Sequence, residues 1–154
     1  MYQIQHLTPV DVALLQELNA VFGQAFNASE TYSASRPSKE YLQDLLAKEH
    51  VIVLVALADG AVVGGLVAYE LPKFEQARRE VYIYDLAVAE AHRRRGIATA
   101  LIRHLQDIAS RRDAWVIFVQ ADYGDGPAIA LYSKLGTCEE VLHFDIPVPS
   151  GRPA

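Results

Sequence analysis

The spacing of hydrophobic residues divides the first third of the chain into one strand and two helices. Residues 2–7 alternate between apolar and polar, which predicts a short strand. Thr8-Pro9 then signals a helix start, because threonine caps helices and proline suits their first turn. The apolar stripe that follows consists of Leu14, Leu15, Leu18, Val21 and Phe22. We expect this helix to end at Gly23, a loop to cover residues 24–37, and Ser38 to cap a shorter helix.

Three long strands, and then an alternation of helices and strands, make up the rest of the pattern. Strands are predicted at 51–57, 61–71, 80–88, 115–122 and 137–146, and helices within 92–110 and 125–136. Asp59-Gly60 is a hairpin signal between the first two of these strands. The order β-α-α-β-β-β-α-β-α-β predicts an α/β fold in which a mixed, mostly antiparallel, twisted sheet is flanked by helices. We expect residues 1–146 to form a single domain and residues 147–154 to form a flexible C-terminal tail.

Composition and charge narrow the function of this chain of 154 residues. Its formal net charge of −5 disfavours nucleic-acid binding, which requires a basic surface. Cys138 is the single cysteine and the histidines lack metal-binding spacing, so we expect neither an internal disulfide nor a metal site. No segment resembles a signal peptide, and no stretch reaches the roughly 18 apolar residues of a membrane span. We therefore expect a cytoplasmic protein without membrane partners.

The clearest candidate site is a strand that runs into a basic, glycine-containing loop and then a helix. Arg93, Arg94 and Arg95 precede Gly96, and the small Ala98 follows it in the first helical turn. The amides of a first helical turn have no partners within the helix, and they lie at the positive end of its dipole. These features predict an anion site suited to a pyrophosphate. The alternative, from the residues alone, is a solvated basic loop before a surface helix.

Three linked motifs resemble the Gcn5-related N-acetyltransferase (GNAT) superfamily. Arg93-Arg94-Arg95-Gly96-Ile97-Ala98 is similar to the signature Arg/Gln-x-x-Gly-x-Gly/Ala, residues 86–88 to the preceding strand, and residues 128–136 to the second helix-bearing motif. Within the superfamily, four segments resemble the type I aminoglycoside 3-N-acetyltransferases. These segments are Phe74-Glu75-Gln76, residues 80–88, residues 119–125 and His143-Phe144-Asp145. The resemblance spans about residues 20–146.

The resemblance implies a binding site for acetyl-coenzyme A (acetyl-CoA) as cosubstrate, without a metal. Backbone groups of residues 86–88 would pair with the pantetheine arm in the manner of an added strand. Amides from Arg94 to Thr99 would hold the pyrophosphate. The implied cofactor-binding residues are Leu86, Ala87, Val88, Arg93, Arg94, Arg95, Gly96, Ile97, Ala98, Thr99, Ala128, Leu131 and Lys134.

Asp85 is the candidate residue for handling the proton of the attacking amine. It interrupts an apolar strand, where a charge is costly unless it is paired or useful. Three roles remain open: accepting the proton, binding the substrate ammonium, or serving as a structural carboxylate. Strand alternation places Asp85 with Val81 and Ile83, on the face opposite Tyr82 and Tyr84, unless a bulge intervenes.

Tyr132 is the second candidate catalytic residue. The resemblance implies that it lies near the thioester sulfur and protonates the leaving thiolate, against the alternative of a tyrosine packed in the core. Acidic and aromatic residues elsewhere suit a substrate with several ammonium groups. The candidate substrate-binding residues are Tyr32, Glu80, Tyr84, Asp122, Tyr123, Asp125 and Asp145. For Asp125, the alternative is a capping residue of the following helix.

The resemblance implies an aminoglycoside 3-N-acetyltransferase, and hence antibiotic resistance. The amine would attack the thioester directly, and the acetyl group would move from acetyl-CoA to the 3-amino group of the deoxystreptamine ring. Two alternatives share the cofactor site: acetylation of another amine, on a polyamine or a protein N-terminus, and a non-catalytic acyl-CoA sensor. Because members of the group are often dimers, a homodimer is a further expectation.

Overall fold

The computed structural model of the protein describes residues 1–34 and 36–150. These residues fall into two compact units, one from Met1 to Gln120 and one that begins at Ala121. The expectation of one domain over residues 1–146 stays a prediction, and the last four residues of the expected tail lie outside the described part of the chain. No helix among the described residues is long and apolar enough to cross a membrane.

The sheet of the first unit has five strands, arranged in the order in which they occur along the chain. They are β1 (Gln3–His6), β2 (Val51–Ala58), β3 (Ala61–Pro72), β4 (Arg79–Val88) and β5 (Ala114–Val119). Neighbours from β1 to β4 pair antiparallel, and β5 pairs with β4 in parallel. The mixed, mostly antiparallel sheet predicted from the element order is therefore confirmed.

Helices cover both faces of this sheet. They are α1 (Val12–Ala25), α2 (Ser29–Ala34), α3 (Lys39–Ala47) and α4 (Ile97–Arg111). Residues of α1 and α3 form one buried cluster with Val51, Val53 and Val55 of β2. α4 contacts β2, β3, β4 and β5, and strand alternation assigns to it the opposite face, where Ile52 and Leu54 are buried. Because each buried aliphatic side chain contributes roughly 1.5–3 kcal/mol, packing on the sheet holds these helices in place.

Two local signals read from the sequence act as predicted. Ser38 Oγ accepts a hydrogen bond from the Tyr41 amide at 3.1 Å, and α3 begins at the next residue after the serine. Asp59 and Gly60 have φ values of 52° and 80°. Two successive left-handed residues form the primed turn that matches the twist of a hairpin, so β2 returns directly as β3.

The first helix does not end at Gly23, contrary to the sequence expectation. α1 continues to Ala25, and α2 occupies part of the range predicted as a loop. Gly23 is buried, and a Cβ at this position would lie 3.1 Å from Ser29 Cα and 3.2 Å from Tyr32 Cβ. The glycine therefore allows α2 to pack closely on α1, and it does not mark a helix end.

The second unit contains α5 (Gly126–Leu135), which begins and ends where the sequence predicts. The predicted strand at 137–146 is wrong, because residues 137–150 contain no helix or strand. Apolar side chains of this segment are largely exposed, with Leu142 at 82% and Phe144 at 76%. A strand is stabilised by a paired neighbour and a buried face, and residues 137–146 have neither.

Candidate active site

A bulge in β4 places the Asp85 carboxylate on the α1 side of the sheet. In the β3–β4 ladder Ala68 is opposite Ile83 and Val67 is opposite Asp85, so Tyr84 is an extra residue. Residues directly opposite each other share a face, and Val67 packs against the buried cluster that includes α1. The bulge reverses the faces beyond Tyr84, so Asp85 lies on the face opposite Ile83, as the sequence allowed for the case of a bulge.

Asp85 is half-buried and has one hydrogen-bond donor from a distant part of the chain. The Tyr32 hydroxyl, on α2, donates to Asp85 Oδ2 at 3.5 Å. Burial raises the pKa of Asp85 above its ordinary value, and the hydrogen bond from Tyr32 lowers that pKa in the opposite sense. A carboxylate with a raised pKa is a stronger base than one in water, which suits it to accept a proton from an amine.

Aromatic side chains run across three strands beside Asp85. We call this set the aromatic strip, and it consists of Tyr69, Tyr84, Tyr82 and Phe118. The centroid of the Tyr84 ring is 5.9 Å from that of Tyr69, with 86° between the ring planes, and 5.7 Å from that of Tyr82, with 69° between the planes. Tyr82 stacks on Phe118 at 4.7 Å. Tyr84 is 61% exposed yet held edge-on by two rings, so the strip presents a fixed aromatic surface to C–H groups and cations.

Three members of the aromatic strip were not predicted as site residues. Tyr69, Tyr82 and Phe118 come from β3, β4 and β5, and they meet because Tyr69 and Phe118 are each paired with Tyr82 in the sheet. The signal in the sequence is an aromatic residue in each of three consecutive strands. That signal becomes readable only once the strand register is known.

The edge of β4 is open where the cofactor-binding strand was predicted. Pairing with β5 extends from Arg79 to Ile83 and ends there, although β4 continues to Val88. Among the described residues, no strand pairs with residues 84–88 on that side. Backbone groups on an open edge are available to an added extended chain. Leu86, Ala87 and Val88 thus lie on an edge where amide groups of a ligand can pair.

Residues 93–99, which we call the anion cradle, follow β4 and open α4. Gly96 is the N-cap residue of α4 with φ 77°, and Arg94 has φ 61°. Left-handed residues turn successive amides toward one side, and such turns bind anions. The amides of Ile97, Ala98 and Thr99 form the first turn of α4, where no carbonyl of the helix reaches them. The cradle therefore has the donors and the dipole that a pyrophosphate needs.

The three arginines of the cradle have different surroundings. Arg93 Nε donates to the Val88 carbonyl oxygen at 3.0 Å, so this side chain closes the loop on the end of β4. Arg94 and Arg95 are exposed. The direct donors to a bound phosphate would then be backbone amides, with Arg94 and Arg95 adding positive charge around them.

The structure brings some of the predicted substrate-binding residues together and leaves others apart. The Tyr32 hydroxyl contacts Asp85, and Tyr84, the residue before Asp85, has its ring against Tyr69 and Tyr82. Glu80 is at the opposite end of β4, where its carboxylate is 3.7 Å from Lys73 Nζ. Its charge is thus paired within the β3–β4 hairpin.

Tyr132 lies on the half-buried face of α5 in the second unit. Ala128 and Leu131 share this face, whereas Lys134 is exposed. Burial, and to a smaller extent the Asp125 carboxylate, raises the pKa of the Tyr132 hydroxyl. The phenol therefore stays protonated at neutral pH and keeps a proton to donate.

The remaining predicted substrate residues have partners within the second unit. Asp125 Oδ1 accepts from the Ala128 amide at 3.2 Å, which supports the capping alternative for this residue. The Tyr123 hydroxyl donates to Glu140 Oε1 at 3.4 Å. The backbone carbonyl oxygen of Asp122 accepts a hydrogen bond from the Asp125 amide at 3.0 Å. The Asp145 carboxylate pairs with the His143 ring, at 2.9 Å between Oδ1 and Nε2.

Two solved structures resemble this chain over nearly its whole length. An aminoglycoside acetyltransferase from an uncultured soil metagenomic sample is 60% identical, with a TM-score of 0.95 over 97% of this chain and 99% of that chain. A second soil-metagenome aminoglycoside acetyltransferase, solved with trehalose and with sisomicin, is 31% identical, with a TM-score of 0.89 over 96% of this chain and 97% of that chain.

A curated relative and a family profile complete the comparison. Streptothricin acetyltransferase from Streptomyces lavendulae is 30% identical over 73 residues, which are 47% of this chain and 39% of that protein. The chain thus aligns with well under two thirds of the length of this relative. The profile of the acetyltransferase (GNAT) family matches residues 15–137. The chain belongs to the GNAT family of acetyltransferases.

Proposed function

We propose that the protein transfers an acetyl group from acetyl-CoA to the 3-amino group of the deoxystreptamine ring of an aminoglycoside. The observation that carries this proposal is the 60% identity with an aminoglycoside acetyltransferase over 97% of the chain. The 31% identical enzyme, which was solved with sisomicin, supports the same class of substrate. Attack at position 3 is supported by the resemblance of four segments to the type I aminoglycoside 3-N-acetyltransferases.

GNAT acetyltransferases use acetyl-CoA, and the first unit has suitable groups for it. The amides of Ile97, Ala98 and Thr99 in the anion cradle would bind the pyrophosphate. The open edge of β4 at residues 86–88 would pair with the amides of the pantetheine arm. Gly64 on β3 leaves room for this part of β4. A Cβ at position 64 would lie only 2.9 Å from the Ala87 carbonyl oxygen and would push the two strands apart.

Asp85 and the aromatic strip would bind and activate the acceptor. An ionised carboxylate attracts an ammonium group, and the ring of Tyr84 adds a surface for a sugar face or a cation. The neutral amine nitrogen forms a bond with the acetyl carbonyl carbon as the bond from carbon to sulfur breaks. The amine proton passes to Asp85, directly or through water, and the thiolate takes up a proton. Tyr132 is the candidate donor of that proton.

A substrate panel tests this proposal. Acetyl-CoA consumption is measured with sisomicin, gentamicin, spermidine and a peptide with a free N-terminus, each alone. We expect turnover with the two aminoglycosides, and NMR of the product should show the acetyl group on the nitrogen at position 3. Acetylation at another nitrogen would refute the regiochemistry. Turnover with only spermidine or the peptide would refute the substrate class, and no turnover with any amine would favour an acyl-CoA sensor.

Two further parts of the proposal concern the cell. The protein would act in the cytoplasm, and its expression in a susceptible bacterium would raise the minimum inhibitory concentration of gentamicin.

A homodimer is proposed from the resemblance to the type I group. Light scattering of the purified protein, with an expected mass of twice 17.0 kDa, tests the dimer.

A further inference from the structure

Tyr32 is held in contact with Asp85 by several features of the α1–α2 corner. The Ala28 amide donates to the Gly23 carbonyl oxygen at 2.8 Å, and the Tyr32 amide donates to the Ala28 carbonyl oxygen at 3.1 Å. The tyrosine ring packs 6.3 Å from the rings of both Phe22 and Phe26. These contacts determine where the tyrosine lies without any help from a ligand.

The close fit at Gly23 makes this corner sensitive to small changes. A Cβ at Gly23 would lie 3.2 Å from Tyr32 Cβ, which is tighter than an ordinary carbon–carbon contact. A Cβ at position 23 requires its neighbours Ser29 and Tyr32 to give way by a few tenths of an ångström, and we expect this displacement of α2 to change the position of the Tyr32 hydroxyl relative to β4. The absence of a side chain at Gly23 thus sets the reach of the phenol to Asp85.

We propose that Tyr32 is a positioning residue, whose hydroxyl orients the Asp85 carboxylate by binding Oδ2 and leaves Oδ1 to the amine of the substrate. This role rests on the proposed function of Asp85, and it differs from the direct substrate contact expected from the sequence. At 3.5 Å the hydrogen bond is longer than the roughly 2.5–3.0 Å usual between two oxygens, so it is a weak bond that bears on the direction of the carboxylate and leaves its negative charge in place.

The titratable groups near Asp85 in the first unit are phenols. They are Tyr32 from α2, Tyr69 from β3, and Tyr82 and Tyr84 from β4. Burial, and to a smaller extent the negative charge of Asp85, raises the pKa of Tyr32, Tyr69 and Tyr82. These three phenols therefore stay neutral between pH 5 and 8, and Tyr32 remains a donor throughout that range.

Removal of the Tyr32 hydroxyl should change the titration of Asp85 in a known direction. The hydrogen bond from Tyr32 lowers the pKa of Asp85, so Tyr32→Phe should raise that pKa. The carboxylate would then lose its charge at a higher pH during acidification. The acid limb of the pH profile of kcat/KM should move to higher pH, with a loss of about threefold or more on that limb. On the high-pH plateau the loss should be smaller.

The experiment combines carbon NMR of the Asp85 carboxyl in the free enzyme with pH profiles for sisomicin. Tyr32→Phe and Gly23→Ala should both move the Asp85 titration and the acid limb upward, and Gly23→Ala tests the geometry without removing the hydroxyl. Tyr41→Phe, at an exposed tyrosine on α3, is the matched control and should move neither. Melting temperatures of all variants confirm that they are folded.

Two results would overturn the proposal. The first is an unchanged Asp85 titration in Tyr32→Phe with a raised KM for sisomicin, which would mean that Tyr32 contacts the substrate. The second is an unchanged titration with unchanged kinetics. Because the NMR titration uses the free enzyme, it judges the link between Tyr32 and Asp85 even if the wild-type enzyme does not acetylate sisomicin.

Discussion

The anion cradle is built from neighbouring residues in the sequence, whereas the Asp85 site is built from residues far apart in the sequence. The cradle is one uninterrupted run, residues 93–99, and its shape depends on the left-handed Gly96 and the first turn of α4. Asp85 depends on Tyr32, which is 53 residues away, and on a bulge defined by pairing with β3. In the proposed reaction, the donor half would depend on local backbone geometry, and the acceptor half would depend on the tertiary packing of α2 on the sheet.

The largest effect should come from removing the charge at the acceptor half. Asp85→Asn should lower kcat/KM for aminoglycosides about 100-fold or more, because the amide neither accepts the amine proton nor attracts an ammonium. In the wild type, kcat/KM should fall as the pH drops through the raised pKa of Asp85, and the variant should lack this limb. Steady-state kinetics from the lowest pH at which the enzyme stays folded up to pH 9 measure both effects.

The way the loss divides between kinetic constants identifies the role of Asp85. A fall in kcat indicates proton acceptance, whereas a rise in KM with kcat retained indicates binding of the ammonium. A variant that stays within about threefold of the wild type at every pH would contradict both roles and favour a structural carboxylate.

A smaller effect is expected at the proposed donor half, where we propose that backbone amides bind the pyrophosphate of acetyl-CoA. Gly96→Ala puts a side chain on a left-handed residue at φ 77°, which costs about 1 kcal/mol. A shift of the cradle to relieve this strain should raise KM for acetyl-CoA about five- to tenfold if the proposed phosphate donors are the backbone amides of this turn. KM for the aminoglycoside should change less.

Gly60→Ala is a matched control for the cradle. Gly60 has φ 80° in the β2–β3 turn, with open space around the position of a Cβ, so the backbone cost is similar and the cradle is untouched. Both variants should melt a few degrees below the wild type. Equal KM values for acetyl-CoA in the two variants would show that Gly96 matters only for folding.

The same comparison explains which features were predictable from the sequence. The cradle, the Asp59-Gly60 turn and the Ser38 cap each depend on neighbours along the chain, and the pattern alone indicated them. The sequence left the face of Asp85 open, because the extra residue Tyr84 is visible only in the register with β3. Gly23 was expected to end a helix, because the sequence does not show that α2 packs closely against this position in the folded chain.

A further prediction tests the aromatic strip on the acceptor half. Tyr84→Leu should raise KM for sisomicin about three- to tenfold, because the exposed ring face for sugars and cations is lost. Tyr84→Phe keeps that face and should stay close to the wild type. Phe74→Leu, at an aromatic side chain that is 97% exposed in the β3–β4 loop, is the control for loss of any surface ring. An equal rise in KM in Tyr84→Leu and Phe74→Leu would exclude a specific role for the strip.

The smallest effect should be a gain in stability from the variant that loses the most activity. Burial raises the pKa of Asp85 in the folded state, so folding disfavours its ionised form at neutral pH. Asp85→Asn removes this penalty and should raise the melting temperature at pH 8 by about 1 °C. The gain should shrink as the pH falls through the raised pKa, and it should nearly vanish at about pH 3, where the carboxyl is largely protonated in both folded and unfolded chains. Calorimetry at pH 8 and at about pH 3 measures the difference. A melting temperature that falls at pH 8 would mean that the Asp85 carboxylate stabilises the fold. The proposed acceptor site would then not differ from the cradle in being maintained at the expense of stability.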